Sequence, residues 1–262
     1  MCGIRYALLG LFAANVGVAS AKPVPLIVDT DMGGGGCNDV DDVVALSMTN
    51  ALVDTGEVDL LGVVLNTAPV HCAGVISVIN HYYGRDLNAV PIGAYNVSTV
   101  GATLEMEDPL PYVDQLVQEF PSPIKNSSQA EDAVVVYRRA LAAADDHSVA
   151  ISSIGIHTNL AALMRSGPDQ FSNLTGMDLI ERKVKLLAVM GGTYPQSGDT
   201  PECNVCGGHR NEHNHEVASA ASSFVAKSWP QTSQLIWSGF EVGFQVQTGG
   251  AGFQERCPDV AT

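Results

Sequence analysis

Residues 26–46, LIVDTDMGGGGCNDVDDVVAL, place five aspartates around a run of four glycines, with no lysine or arginine among them. Leu26-Ile27-Val28 predicts a buried strand, and the apolar residues after Asp42 predict the start of a helix. Carboxylates crowded at one strand end raise each other's pKa unless a positive charge lies between them. A divalent cation that prefers oxygen ligands is the simplest such charge. The stretch therefore predicts a metal site at the end of a strand.

A helix cap is the main alternative to a metal site, because Asp41 and Asp42 also suit the positive end of a helix dipole. An EF-hand loop is excluded, since counting from Asp29 places Gly33 fifth and Val40 twelfth, where that loop needs glycine sixth and an acid twelfth. A phosphate-binding glycine loop is excluded as well, because no Lys-Ser or Lys-Thr follows the glycines. The metal site and the cap both remain open at this point.

Short apolar segments alternate with amphipathic segments along the rest of the chain. Strands are predicted at 26–28, 58–65, 90–94, 149–154, 184–190 and 234–237, and helices at 42–53, 72–83, 111–120, 131–144, 158–164 and 217–229. Val/Ile/Leu-rich strands that alternate with helices form a mostly parallel sheet covered on both faces. The sequence therefore predicts an α/β fold. Its ligand is expected beyond the carboxyl ends of the strands, where Asp29, Asp31, Asn66 and Gly155 follow predicted strands.

The aspartate stretch resembles the amino-terminal signature of the inosine/uridine-preferring nucleoside hydrolases, which is a strand ending in Asp-Thr-Asp, a glycine turn and Asp-Asp at a helix start. The resemblance runs from Leu26 to about Gly243. Further matching motifs are Val-Val-Leu-Asn (63–66), Ile-Gly-x-x-Thr-Asn-Leu-Ala (154–161), Met-Gly-Gly (190–192), Glu-x-Asn (202–204) and Ser-Gly-Phe-Glu-Val-Gly (238–243). The resemblance implies the Rossmann-like architecture of this family.

The same resemblance implies a Ca²⁺ site. The side chains of Asp31 and Asp42 would be ligands, and the carbonyl group of Ile154 would be a backbone ligand. Asp31 would also be the base that takes a proton from the attacking water. Asp29 would orient its neighbours.

The resemblance also implies a set of side chains that hold the ribose hydroxyl groups. These are Asp41, Asn66, Glu202 and Asn204. The expected reaction is hydrolysis of the N-glycosidic bond of a ribonucleoside, which gives the free base and ribose. Acidic and amide oxygens suit an oxocarbenium-like transition state, because they stabilise its positive charge.

One part of the family pattern is missing. The family completes its calcium site with an aspartate, usually after a tryptophan, in the last part of the chain. This sequence has no Trp-Asp pair, and Asp259 lacks the flanking pattern. We therefore expect residues 22–262 to form a nucleoside hydrolase-like domain that is shortened at its carboxyl end. A catalytically impaired nucleoside- or ribose-binding protein of the same fold is the alternative to the hydrolase. A haloacid-dehalogenase-type phosphatase is disfavoured, because Gly33 replaces the Thr or Val expected after the second aspartate.

Residues 1–21 have the pattern of a secretory signal peptide. Arg5 gives a positive start, residues 6–19 are mostly apolar, and Ala19-Ser20-Ala21 fits the small-x-small cleavage rule. Three Asn-x-Ser/Thr sequons occur, at Asn96, Asn126 and Asn173. We expect a secreted glycoprotein.

The chain is strongly acidic, with 13 Lys and Arg residues against 28 Asp and Glu residues and a formal net charge of −15. Such a chain is a poor partner for nucleic acid or an anionic membrane surface. We expect a small-molecule substrate and neither of those partners, while the sequence carries no signal for the oligomeric state. Five cysteines follow the signal segment, so at least one is unpaired or intermolecular. They are Cys37, Cys72, Cys203, Cys206 and Cys257.

Overall fold

The computed structural model describes residues 22–33, 40–68, 70–105, 111–194, 205, 212–243, 245–246 and 255. Its strands are β1 (Val24–Thr30), β2 (Val58–Leu65), β3 (Ile92–Ala94), β4 (Glu131–Asp132), β5 (Val149–Ser153), β6 (Val184–Met190) and β7 (Gln234–Ser238). They form one sheet in the order β4-β3-β2-β1-β5-β6-β7, and every neighbouring pair is parallel. The predicted fold class is confirmed. The chain winds outward from β1 to β4 and then reverses, so β5 lies on the other side of β1. Ligands bind at such a reversal in open α/β sheets.

The helices cover both faces of the sheet. They are α1 (Asp41–Asp54), α2 (Cys72–Tyr82), α3 (Val97–Val100), α4 (Pro111–Glu119), α5 (Ala133–Ala143), α6 (Thr158–Arg165), α7 (Gly176–Lys183), α8 (Glu212–Ser228) and α9 (Phe240–Gly243), with a 3₁₀ turn at Ser127–Gln129. None of the helices in the described part of the chain is long and apolar enough to cross a membrane.

Side-chain alternation in the central strands produces two cores, one on each face of the sheet. Ile27 and Val64 point into the core beneath α5 to α8, whereas Val28, Val63 and Leu65 point into the core beneath α1, α2 and α4. Successive strand residues face opposite sides, and both sides are covered here. This explains why the strands read as nearly continuous apolar runs.

Helix α5 lies unusually close to the sheet because two strand residues beneath it have no side chain. A Cβ atom on Gly93 would lie 2.7 Å from the Cα atom of Ala133, and one on Gly62 would lie 3.0 Å from Val136 Cγ1. A real Cβ atom essentially never lies as close as the first distance, and the second would require the Val136 side chain to shift by a few tenths of an ångström. The glycines therefore set the height of the helix, which carries Tyr137 over the centre of the sheet.

The structure differs from the predicted elements mainly at helix starts. Residues 131–132 form a short strand rather than the first turn of α5, because the side chain of Asp132 accepts a hydrogen bond from Val134 N and caps the helix there. Helix α7 was not predicted. It begins at a capping box in which the Thr175 and Asp178 side chains each bond the other's backbone N–H group. Helix α8 begins at Glu212 rather than at residue 217.

Candidate functional site

Asp29, near the end of β1, is fully buried and holds the centre of a hydrogen-bond network. Its Oδ2 atom accepts a 2.7 Å bond from the Tyr137 hydroxyl, and its Oδ1 atom accepts a 2.8 Å bond from Asn66 Nδ2. Asn159 Nδ2 lies 3.5 Å from the same Oδ1 atom. Burial raises the pKa of Asp29 to about 7, although the three donors favour its charged form. Asp29 thus links β1 to β2, α5 and α6.

Asn66 follows β2 and is held on several sides. Its backbone N–H group donates to Thr30 O at 2.9 Å, and its carbonyl oxygen accepts a 3.1 Å bond from the Thr158 hydroxyl. Its side-chain Nδ2 atom is bound to Asp29, but its side-chain Oδ1 atom is buried without a hydrogen-bond partner. A buried carbonyl oxygen without a partner is costly. This one is therefore available to a ligand.

Asp31 and Asp42 bring two carboxylates together at the end of β1. Asp31 is only 4% exposed, and its Oδ2 atom is buried without a hydrogen-bond partner. Burial first, and then the neighbouring charges of Asp42 and Asp41, raise the pKa of Asp31 well above its usual value. The Thr30 hydroxyl donates to Asp42 Oδ1 and itself accepts a 3.2 Å bond from Met32 N. Two adjacent buried carboxylates of this kind create a strong demand for positive charge.

The turn after β5 completes this side of the site. Ile154 N donates to Asp29 O at 2.8 Å, which places the turn directly beside β1. A Cβ atom on Gly155 would lie 2.6 Å from Asp31 N and 2.6 Å from Asn66 Nδ2. Only glycine permits this close approach, so the turn, Asp31 and Asn66 form one packed unit.

Several other polar atoms at the same edge of the sheet are buried without a hydrogen-bond partner. They are Thr67 Oγ1, Ser153 Oγ and Asn159 Oδ1. Thr67 follows β2, Ser153 is the last residue of β5, and Asn159 lies in the helix that follows β5. Buried polar groups in proteins are normally paired, so these atoms make this edge of the sheet a candidate site for a polar ligand.

The two glycine motifs late in the sequence also meet at this edge. Gly191 N donates to Ser238 O, and Phe240 N donates to Gly192 O, each at 2.8 Å. The bonds join the segment after β6 to the segment after β7. The motifs therefore belong to one edge of the sheet, as their positions after strands predict.

The structure brings together most of the residues that the sequence singles out. Asp31, Asp42, Asn66 and Ile154 surround the end of β1. Asp41 lies exposed in the first turn of α1, near enough to act on the charge of Asp31. Glu202 and Asn204 lie outside the described residues, as do residues 1–21 and every cysteine except Cys72, which is a buried free thiol.

The oxygen atoms at this site are of the type that binds a hard cation. Within the described ranges, no group of three or more His, Cys, Asp or Glu side chains is arranged to hold a metal ion. The site offers instead two carboxylates, those of Asp31 and Asp42, together with amide and backbone oxygens. The partnerless oxygen of Asp31 is a ligand that Ca²⁺ accepts. A calcium site here would thus mix side-chain and backbone ligands.

Two tyrosines near the site could not be assigned a role from sequence. Tyr137 reads as part of the apolar face of α5, and its bond to Asp29 spans 108 positions. Tyr112, at the start of α4, has a buried hydroxyl group without a hydrogen-bond partner. Its pKa is raised by burial and then by the charge of Asp42. Asn159 did have a signal, because it stands in the Thr-Asn-Leu-Ala motif.

The parallel sheet, with its acidic candidate site at the winding reversal, defines a protein of the Rossmann-like α/β class. The sequence profile of the family described as "Inosine-uridine preferring nucleoside hydrolase" matches residues 26–255. The chain belongs to this family. A comparison with curated protein sequences gave no match.

Solved structures share the fold. The type III effector protein XopQ, complexed with adenosine diphosphate ribose, superposes with a TM-score of 0.63 at 18% identity over 91% of this chain. The purine-preferring ribonucleoside hydrolase from Gardnerella vaginalis gives 0.54 at 19% identity, and the plant nucleoside hydrolase PpNRh1 gives 0.53 at 18%, each over 86% of this chain. The match spans 62–63% of the length of these three proteins.

Proposed function

We propose that the chain is a secreted, Ca²⁺-dependent hydrolase of the N-glycosidic bond of ribonucleosides. The observation that carries the proposal is the set of buried acceptor oxygens without partners, on Asp31 and Asn66, beside the carboxylate of Asp42. Such a set favours a cation and hydroxyl donors. The family match supports the reaction class.

Sugar hydroxyl groups complement this site better than phosphate groups do. Each hydroxyl can donate a hydrogen bond to a carboxylate or amide oxygen, and Asn66 Oδ1 and Asp31 Oδ2 are such oxygens. At neutral pH a phosphate group offers hydrogen-bond acceptors and no donors, and the adjacent carboxylates would repel its charge. A ribonucleoside therefore fits the described part of the site through its ribose.

Asp31 is the proposed general base. The net reaction forms a bond between the water oxygen and the anomeric carbon, breaks the bond from that carbon to the base nitrogen, and leaves the electron pair on the nitrogen. Asp31 takes a proton from the water, and the leaving base gains a proton in turn. The nearby carboxylates stabilise the positive charge that develops on the sugar.

The calcium ion would be held by the side chains of Asp31 and Asp42 and by the carbonyl group of Ile154. When bound, it would lower the pKa of a bound water molecule. Gly155 packs against both Asp31 and Asn66. The protein would therefore hold the ion and the sugar at fixed positions relative to each other.

Calorimetry combined with a product assay tests the proposal. Ca²⁺ is titrated into the protein with and without ribose, and release of free base from inosine and uridine is followed with and without a chelator. Ca²⁺ binding that is strengthened by ribose, with chelator-sensitive base release, is the expected result. Asp59→Asn is a matched control, because it removes an exposed carboxylate at the amino end of β2.

Two other results would change the assignment. Binding of Ca²⁺ and ribose without base release would identify a nucleoside- or ribose-binding protein of the same fold. Absence of both Ca²⁺ and ribose binding would refute the proposed function. ADP-ribose serves as a further ligand in the titration, because the similar effector structure contains it.

Secretion is part of the proposal and rests on residues 1–21 and on the sequons. Asn173 lies exposed after a turn, whereas Asn96 and Asn126 are half-buried and their side chains cap short helical segments. Asn173 is therefore the most accessible of the three acceptor sites.

A further inference from the structure

Tyr137 carries a polar hydroxyl group into the core beneath α5 to α8. The residue is fully buried among side chains of α5, α6 and the sheet. Its hydroxyl group donates to Asp29 Oδ2 at 2.7 Å, and so reaches from the helix to the strand that carries the candidate site. A phenylalanine would fill the same space, so the hydroxyl group has a purpose other than packing.

Asp29 accepts hydrogen bonds at both of its carboxylate oxygens. Oδ2 is bound to Tyr137, whereas Oδ1 receives Asn66 Nδ2 at 2.8 Å and lies 3.5 Å from Asn159 Nδ2. Asn159 is itself anchored by a 2.9 Å bond from Nδ2 to Leu65 O. The orientation of the carboxylate group is thus fixed at both oxygens.

The fixed carboxylate determines which end of the Asn66 amide faces the site. Asn66 has one donor end and one acceptor end. With Nδ2 bound to Asp29, the acceptor Oδ1 is left without a partner beside Gly155 and Asp31. The opposite orientation would place two acceptor oxygens at hydrogen-bond distance from each other.

We propose that Tyr137 is a positioning residue for the ligand site: through Asp29, its hydroxyl group holds Asn66 with the carbonyl oxygen toward the ligand. Asn66 then accepts a hydrogen bond from a sugar hydroxyl group, and the site selects a hydroxylated ligand over its deoxy analogue. This inference rests on the proposed function, which supplies the ribonucleoside.

A double-mutant cycle tests whether Tyr137 acts through Asn66. Wild type, Tyr137→Phe, Asn66→Ala and the double variant are compared by kcat/KM for inosine and for 2′-deoxyinosine and 3′-deoxyinosine. Tyr137→Phe should lower kcat/KM for inosine about tenfold, the size expected when a hydrogen bond to a charged group is lost. For at least one deoxy analogue the loss should be smaller. In the Asn66→Ala background, Tyr137→Phe should have no further effect.

Val136→Ala is the matched control. It removes two buried methyl groups one residue away on the same helix and touches no polar group of the network. It should lower the free energy of unfolding and leave kcat/KM unchanged. Equal losses from Tyr137→Phe with and without Asn66 would overturn the proposal, as would an unchanged kcat/KM for Tyr137→Phe in the wild-type background.

A second measurement does not depend on turnover. Protein labelled with ¹⁵N-asparagine gives a side-chain amide signal for Asn66, which is assigned by its absence in Asn66→Ala. The signal should shift or broaden in Tyr137→Phe and stay in place in Val136→Ala. An unmoved signal in Tyr137→Phe would refute the positioning role. Absence of turnover in the wild type together with a moved signal would refute only the proposed function.

Discussion

His157 makes the stability of this fold depend on pH in a direction that can be calculated. The side chain is fully buried between α8 and β7, where its Nδ1 atom lies 2.7 Å from Ser222 Oγ and its ring meets Trp237 edge to face with centroids 5.6 Å apart. Its Nε2 atom is buried without a hydrogen-bond partner. Protonation would place a charge there without solvation, so burial lowers the pKa of His157 from 6.5 to about 4.

The sign follows from proton counting. Between pH 6.5 and 4 the unfolded chain binds a proton at this histidine and the folded chain does not, so the free energy of unfolding falls as the pH falls. Each pKa unit corresponds to about 1.4 kcal/mol. The contribution of His157 is fully present above pH 6.5. The loss should reach about 1.4 kcal/mol at pH 5.5 and about 2.5 kcal/mol at pH 4.5.

Urea denaturation at pH 7.5, 6.5, 5.5 and 4.5 measures this effect in wild type and in His157→Gln, which keeps a polar side chain but does not titrate. The other ionisable groups contribute equally to both proteins, so the difference between the two curves isolates the histidine. His157→Gln should be less stable than wild type at pH 7.5, and the difference between their free energies of unfolding should shrink steadily below pH 6.5. Parallel curves would show that His157 is protonated as easily in the folded chain as in the unfolded one.

Four further predictions concern separate parts of the molecule. Asp31→Asn should lower the rate of base release by about 10²–10⁴-fold, which is the usual contribution of a general base, whereas Asp59→Asn should keep the wild-type rate. Equal rates for Asp31→Asn and wild type would show that Asp31 is not the general base. Gly155→Ala should weaken Ca²⁺ and ribose binding in calorimetry and cost about 1–3 kcal/mol of stability, because its Cβ atom would lie 2.6 Å from Asp31 N; full affinity would contradict the packed turn. Arg138→Met should lower the free energy of unfolding by about 1–3 kcal/mol, since the buried guanidinium group donates to two carbonyl groups after α6 that would lose this donor. A urea midpoint equal to wild type would contradict this. Secreted from a eukaryotic host, the protein should lose mass on N-glycosidase treatment, and Asn173→Gln should remove the largest part of that change.

The sheet could be predicted from the sequence because each central strand is buried on both faces. Val58–Leu65 and Val184–Met190 were predicted with their observed bounds, since a short run rich in Val and Leu that is ended by Gly or Asn leaves few alternatives. Helix α7 was missed because its start is marked by the capping box of Thr175 and Asp178 rather than by a long apolar run.

The acidic residues of the candidate site could be predicted from the sequence, but the residues that orient them could not. Asp31, Asp42 and Asn66 follow strands that end at one edge of a sheet, so topology alone brings them together. The orientation of the Asn66 amide depends on Tyr137, whose apolar ring hides its role in any hydrophobic pattern. Contacts of this kind link residues 108 positions apart and become visible only when the packing of α5 on the sheet is known.

The two glycines beneath α5 have a consequence for directed evolution of this protein. A methyl group on Gly93 would push the helix away from the sheet and withdraw the Tyr137 hydroxyl group from Asp29, whereas one on Gly62 would make the Val136 side chain shift by a few tenths of an ångström. Mutational libraries confined to the residues of the candidate site would miss such positions. A screen of the whole gene for altered sugar preference should therefore recover substitutions in the floor of the sheet, far from any atom that the substrate touches.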